Sequence, residues 1–399
     1  MTSGTSPRET RKETTRREMM KQSLALAGAG VLGVPGWSLP ALAQDETPVP
    51  FTDVPEGFGQ PNPAAAIRIY DVRNIDGPYT PADSFYTIQH FGKPVIDADG
   101  FSLGVSGLVD RPGTLTLDDL RGMDSIEIDA GYECSGNSRR LIQGLASNGR
   151  WTGVPLRAVL DLVGVQPAAR EVVFFGADKG PETVDFRGTP YEIDQPFARS
   201  LSLADGMTTG PLLAYALNGA PLTVEQGAPL RLLVPGWYGV TNVKWLSHIR
   251  VQSERFLGKW QARWYRTLWS EEIGGETVWH ETEVSRLRVK SVIARVTRVG
   301  DRHEVLGFVL HDGTPLRGVQ VKVDDGAWQA ATLDPSTGGQ YSWKLFRFAW
   351  DGAAPGEHTL VSRVTDVDGN VQPTSEELSA IKQTGLEDNS QFPRTVTIA

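Results

Sequence analysis

The sequence predicts an α+β (mixed α/β) domain followed by an all-β, immunoglobulin-like sandwich. Three observations carry that reading. Up to about residue 283, short apolar runs with strand character are interspersed with capped helical segments, without the regular βαβ rhythm of a doubly wound sheet. From about 284 the helical signals vanish and period-two alternation takes over, as in Val319-Gln320-Val321-Lys322-Val323. Turn dipeptides then recur at Asp312-Gly313, Asp325-Gly326, Asp351-Gly352 and Asp368-Gly369, the punctuation of several short strands.

Composition narrows the class. A chain of 399 residues exceeds what one hydrophobic core usually serves, so more than one domain is expected. Apolar residues make up 40% and charged residues 22%, which excludes a disordered or fibrous chain. Beyond the N-terminus no apolar run is long enough to span a bilayer, and no membrane span is expected. Net charge is −9 with no basic block in the body, which argues against nucleic acid as a partner. One cysteine excludes an internal disulfide and a cysteine-built zinc or iron–sulfur site.

Taken in order, residues 1–43 read as an export segment. Thr15-Arg16-Arg17-Glu18 and Lys21 form a charged start, Leu24 to Val34 an apolar stretch, and Ala41-Leu42-Ala43 a small-residue cleavage site. The paired arginines resemble a twin-arginine signal, which predicts a periplasmic protein. Gly28-Ala29-Gly30-Val31-Leu32-Gly33 matches GxGxxG, but it lies inside this segment without a preceding strand, so it is not read as a dinucleotide site. Residues 44–66 are Pro-rich and read as an extended lead-in. The first domain is expected over 67–283 and the sandwich over 284–399. Within the first, Phe85–Ile88, Phe101–Val105, Val172–Phe175 and Leu230–Val234 read as strands. Thr116–Leu120 and Pro155–Val163 read as short helices, the second with apolar residues three and four apart.

The segment richest in chemistry is Tyr132-Glu133-Cys134-Ser135-Gly136-Asn137-Ser138-Arg139-Arg140. Cationic neighbours lower a thiol's pKa, and a thiolate is a soft metal ligand; a structural cysteine prefers apolar surroundings. The residues alone leave three roles open: nucleophile, redox thiol or sole protein ligand to a metal cofactor. A resolving partner is missing for a redox dithiol, and a nucleophile needs a nearby His that the sequence does not place.

Cys134-Ser135-Gly136-Asn137-Ser138-Arg139 resembles the cysteine motif of the sulfite oxidase family of molybdenum–pterin enzymes. Further segments resemble that family in order: Phe85-Tyr86-Thr87-Ile88-Gln89-His90, Trp151-Thr152-Gly153-Val154-Pro155-Leu156, Leu213–Gly219, Gly227-Ala228-Pro229-Leu230-Arg231, Val234-Pro235-Gly236, Asn242-Val243-Lys244-Trp245 and Trp260-Gln261-Ala262-Arg263-Trp264-Tyr265. The tail resembles the family's dimerisation domain. The resemblance implies that Cys134 binds molybdenum, one atom per chain, with molybdopterin supplying the rest. It implies that Tyr86, Thr87, Gln89 and His90 line the pterin, that Asp178 hydrogen-bonds it, and that Arg231, Asn242 and Lys244 hold its phosphate end. Gln226 stands where relatives often carry His. Tyr265 and Arg139 are expected to face the substrate.

Each of these has a structural alternative: Arg231 and Lys244 as surface charges, Tyr265 as core, His90 as a packed histidine, Asp178 as a turn residue. The remaining histidines, His248, His280, His303, His311 and His358, show no ligand spacing. No CxxCH exists, and neither a haem nor a flavin domain is visible.

The implied activity is two-electron oxygen-atom transfer to sulfite or a related sulfur compound, with electrons passing to an external c-type cytochrome, by a homodimer. The family pattern breaks at two positions, Ile88 and Gln340, where sulfite-oxidising relatives often have Arg. That leaves two rivals: a molybdenum-dependent reductase of a sulfoxide or other oxygenated substrate, and a periplasmic binding protein with an immunoglobulin-like module.

Overall fold

A computed structural model describes residues 46–55, 58, 67–208 and 210–399; the export segment expected over 1–43 lies outside them. The described residues belong to one compact unit, Leu39–Ala399. Strands dominate, and the helical share is smaller than an α+β reading suggests. Among the described residues the α-helices are Leu117–Arg121, Leu156–Val163, Leu203–Gly206 and Ser375–Ile381.

The helices read from local signals form where those signals lie. Thr116 caps Leu117–Arg121 through a capping box with Asp119. Leu156–Val163 buries Leu156, Val159, Leu160 and Val163, the spacing of one helical face, and stops at Gly164 with φ of +71°. Ser375–Ile381 corrects the expectation that helices end at 284. Thr374 and Glu377 form a second capping box there, which starts a helix within the strand-rich tail.

One five-stranded sheet runs Gly113–Thr116, Ser102–Gly107, Leu246–Gln252, Glu171–Phe186, Thr189–Ser202. Its pairings are antiparallel except Ser102–Gly107 beside Leu246–Gln252. The sequence reading covers only the buried start of the strand Glu171–Phe186; its last four residues are mostly exposed, and the chain turns back at Arg187-Gly188, both at positive φ. A second five-stranded sheet is built from Ala220–Pro221, Leu212–Leu217, Ala146–Pro155 and Ile126–Glu133, with Arg231–Leu233 also pairing Leu212–Leu217. A separate hairpin joins Arg266–Ile273 to Glu276–Glu283.

The C-terminal sheet has eight strands. Glu46–Val49 from the lead-in forms its edge, paired with Lys290–Val299. All four Asp-Gly dipeptides fall in the loops between or after its strands. The core beneath the site draws on both parts of the chain: Tyr86, Tyr132, Cys134 and Trp151 share one cluster with Val292, Phe308 and Leu345. The last three are fully buried, and each contributes about 1.5–3 kcal/mol by leaving water.

Candidate active site

Cys134 follows the inner end of the strand Ile126–Glu133, which is buried over its last four residues. A tight loop then returns the chain to Ala146–Pro155. Asn137 stitches that loop. Its amide nitrogen donates to Glu133 Oε2 (3.1 Å) and the Gln143 carbonyl (2.9 Å), and its Oδ1 accepts the Leu145 N–H (3.0 Å). Cys134 N–H donates to Leu145 O (2.9 Å). The loop reverses through Ile142 and Gln143, both at positive φ, an uncommon conformation outside glycine.

Two expectations about this motif are corrected. Burial pushes the Cys134 thiol up to about 11, opposed by the Gly136 N–H, so the two arginines do not acidify it. Their side chains run outward. Arg139 is 58% exposed, lies 3.8 Å from Asp53 and packs over the Phe392 ring. It does not line the cavity and does not face the place assigned to substrate. Adjacency in sequence placed the charge beside the sulfur; the turn at 139–141 sends it the other way.

A cavity opens beside Cys134. It gathers Tyr86, Thr87, Gln89, His90, Cys134, Asp178, Gln226, Arg231, Asn242, Lys244 and Tyr265, residues scattered through the sequence. Ile88 also lines it, whereas Gln340 sits exposed in a turn outside it. Tyr132, Phe197 and Trp245 complete the wall and were not anticipated. Nor was Gly239, where a Cβ would lie 2.4 Å from Tyr86 Oη, so only glycine leaves room for that ring.

At one side, His90 and Tyr265 share a hydrogen bond of 2.8 Å between Nε2 and Oη. His90 stacks on Trp260 with ring centroids 3.9 Å apart. Burial, then Lys244 and Lys259, pulls His90 down to about 4, so its ring is neutral at ordinary pH. Burial also raises the Tyr265 phenol, with the Cys134 thiol adding to the effect, so the hydroxyl keeps its proton.

Elsewhere the wall carries charge. Asp178 is 6% exposed, burial pushes it up to about 6, and its Oδ1 has no partner. Gly176 makes room for it, since a Cβ there would sit 2.3 Å from Asp178 Oδ1. Lys244 Nζ donates to neutral acceptors, Glu225 O (3.2 Å) and Gln89 Oε1 (3.5 Å). Burial, reinforced by Arg231, pulls it down to about 7.

Arg231 and Asn242, which the resemblance puts at the phosphate end, both line the cavity. Arg231 donates to Gln226 O (2.9 Å) and Asn242 O (3.1 Å) and stacks over Trp151 and Tyr132. Asn242 accepts the Val234 N–H (2.6 Å) and donates to Tyr238 O (3.2 Å). Gln226 donates to Ala82 O (2.8 Å) and accepts the Thr223 N–H (3.0 Å). These three shape the wall and satisfy main-chain groups, while Arg231 Nε is buried without a partner and Lys244 lines the cavity beside it.

The donor set suits a planar, polar heterocycle with an anionic tail and a soft metal: one thiol, aromatic walls, a buried carboxylate oxygen without a partner, and a cation held by neutral acceptors. Among the described residues no cluster of three His, Cys, Asp or Glu side chains could hold a metal ion. A metal at Cys134 would therefore take its other ligands from outside the protein.

The Lys244 environment gives a pH prediction. Below about pH 7 the amine is charged in the empty cavity, and above it the proton is lost. An anionic group alongside restores that proton, so binding takes up a proton above pH 7 and weakens as pH rises. Pterin retained by loaded protein after gel filtration is expected to fall between pH 7 and 9, and Lys244→Gln to flatten the profile. Equal retention across that range would show that Lys244 does not face the anionic end.

Comparison with known proteins agrees with this geometry. Residues 90–260 match the model for the oxidoreductase molybdopterin binding domain. Mitochondrial sulfite oxidase of Homo sapiens is 33% identical over 325 residues, which cover 74% of this chain and 57% of that one. Sulfite oxidase of Gallus gallus is 30% identical over 324 residues, covering 74% of this chain and 68% of that one. The chain thus spans little more than half the length of the mammalian relatives. Among solved structures, the sulfane dehydrogenase SoxCD from Paracoccus pantotrophus superposes with a TM-score of 0.70 at 25% identity, over 85% of this chain and 88% of that one. Among the described residues no helix is long and apolar enough to cross a membrane.

Proposed function

The chain belongs to the sulfite oxidase family of molybdopterin oxidoreductases, and from that premise we propose that it oxidises a small sulfur compound, sulfite first, by two-electron oxygen-atom transfer. The observation that carries this reading is the convergence of the single thiol, the His90–Tyr265 pair, Asp178 and Lys244 on one cavity. Water would supply the oxygen, two protons would be released, and two electrons would pass singly to an external c-type cytochrome. Export by the twin-arginine signal to the periplasm, the immunoglobulin-like character of the C-terminal sheet and its use in a homodimer belong to the same proposal.

When bound, molybdenum–molybdopterin supplies the redox change and the oxygen transfer; the protein supplies orientation and field. Cys134 would be its protein ligand. Thr87, Gln89 and Asp178 would face the pterin ring system and Lys244 its phosphate. With the proton of neutral His90 on Nε2 and donated to the Tyr265 oxygen, the Tyr265 hydroxyl would keep its own proton to donate to substrate oxygen. Trp260 fixes the His90 ring from behind.

Two observations favour a second reading with a less highly charged substrate. Arg139 faces Asp53, and Ile88 presents an apolar side chain to the cavity. A sulfane sulfur, the substrate type named for the Paracoccus enzyme, or a sulfoxide reduced in the opposite direction would fit that wall. Steady-state assays separate the readings. Sulfite with cytochrome c is expected to turn over faster than sulfoxide with a reduced dye. The opposite order would move the assignment to a reductase.

A further inference from the structure

The structure assigns the buried Lys290–Glu133 pair a positioning role for Cys134, which makes the C-terminal sheet part of the active site. This inference rests on Cys134 being the metal ligand.

Lys290 opens the strand Lys290–Val299, and Glu133 is the residue before Cys134. Both side chains are 1% exposed, with Nζ and Oε2 2.7 Å apart. The ammonium's three protons have three acceptors: Glu133 Oε2, Gln143 Oε1 at 3.0 Å and Asp388 O at 3.0 Å. Glu133 stands at the start of the cysteine loop and Gln143 at its return, so one cation holds both ends. Asn137, inside the loop, shares the same Glu133 oxygen. Behind the loop the Glu387 N–H donates to Ser135 O (2.7 Å), and a Cβ on Gly136 would lie 3.9 Å from both Cys134 Sγ and Leu386 Cδ2. The loop is therefore backed by a segment adjoining the C-terminal sheet and pinned by the first residue of that sheet's strand Lys290–Val299.

Stability alone is a poor explanation of the pair. Removing two charges from water costs much of what their attraction returns, and apolar side chains of similar size usually hold a fold as well. What the pair adds is direction. Three hydrogen bonds at fixed angles define where the strand end releases Cys134, and apolar contacts would let that point drift. A site with a single protein ligand is sensitive to such drift, because no other side chain corrects it.

The test uses the full-length chain produced with its cofactor. The double variant Glu133→Gln/Lys290→Met keeps size and removes both charges. It is expected to fold with an unchanged circular dichroism spectrum. Molybdenum retained per chain, or kcat at unchanged KM, is expected to fall about 10- to 100-fold, the usual range for partners of metal ligands. Lys290→Arg, which keeps the charge but replaces a three-point ammonium by a planar fork, is expected to lose kcat in the same way; it decides the question if the double variant does not fold. A folded variant of either kind with wild-type molybdenum and wild-type kcat overturns the positioning role alone. A wild-type chain free of molybdenum overturns the ligand reading and this role together.

Discussion

Replacing Cys134 by Ser is expected to abolish turnover and empty the chain of molybdenum while the fold survives. The sulfur is the soft donor of the cavity wall, and a hydroxyl is a hard, weakly acidic substitute for it. Among the described residues no cluster of His, Asp or Glu could take over. The packing cost is small: the exchange is close to isosteric and the new hydroxyl meets a cavity wall, so stability should change by about 1 kcal/mol or less. Metal content, circular dichroism and steady-state rates on the same preparation check all three statements. Retained turnover in Cys134→Ser would show that the thiol is not the ligand.

Ile88→Arg is expected to lower the sulfite KM by about 10- to 150-fold, the equivalent of one hydrogen bond between charged groups at roughly 1.5–3 kcal/mol. Ile88 already lines the cavity, on the short strand Thr87–Ile88. The cavity's own cations already carry main-chain hydrogen bonds, Arg231 to two carbonyls and Lys244 to Glu225 O, and Lys244 is proposed for the cofactor's phosphate. Arg139 points to Asp53. A guanidinium at 88 would therefore be the cation nearest an oxyanion, and it would have the mouth of the cavity to keep it hydrated in the free protein. Steady-state kinetics with sulfite measures the change. A KM that does not move would place the anion elsewhere and favour the reading with a less charged substrate.

What the sequence revealed follows the range over which each signal acts. Caps and helical faces act within one turn, so Leu117–Arg121 and Leu156–Val163 stand within a residue or two of where composition put them. Ser375–Ile381 carries the same kind of signal in Thr374 and Glu377, obscured by the strand texture around it. The long hairpin arms after Phe175 lack the apolar run that marks a buried strand, and their tips are mostly exposed. At the site, residue types were legible and directions were not. Arg139 sits five residues from Cys134 in sequence, yet its guanidinium turns to Asp53. Arg231 and Asn242 line the cavity, and the main-chain hydrogen bonds that several of their polar atoms also make are not legible in the sequence. The Lys290–Glu133 pair has no local signal, since its partners are far apart in sequence and are brought together only by the fold.

Elemental analysis of the purified full-length chain, produced in a host that makes molybdopterin, tests the central claim most directly. The account predicts about one molybdenum atom per chain, lost on Cys134→Ser. Wild-type protein that is folded, has a free thiol at Cys134 and contains no molybdenum would contradict it.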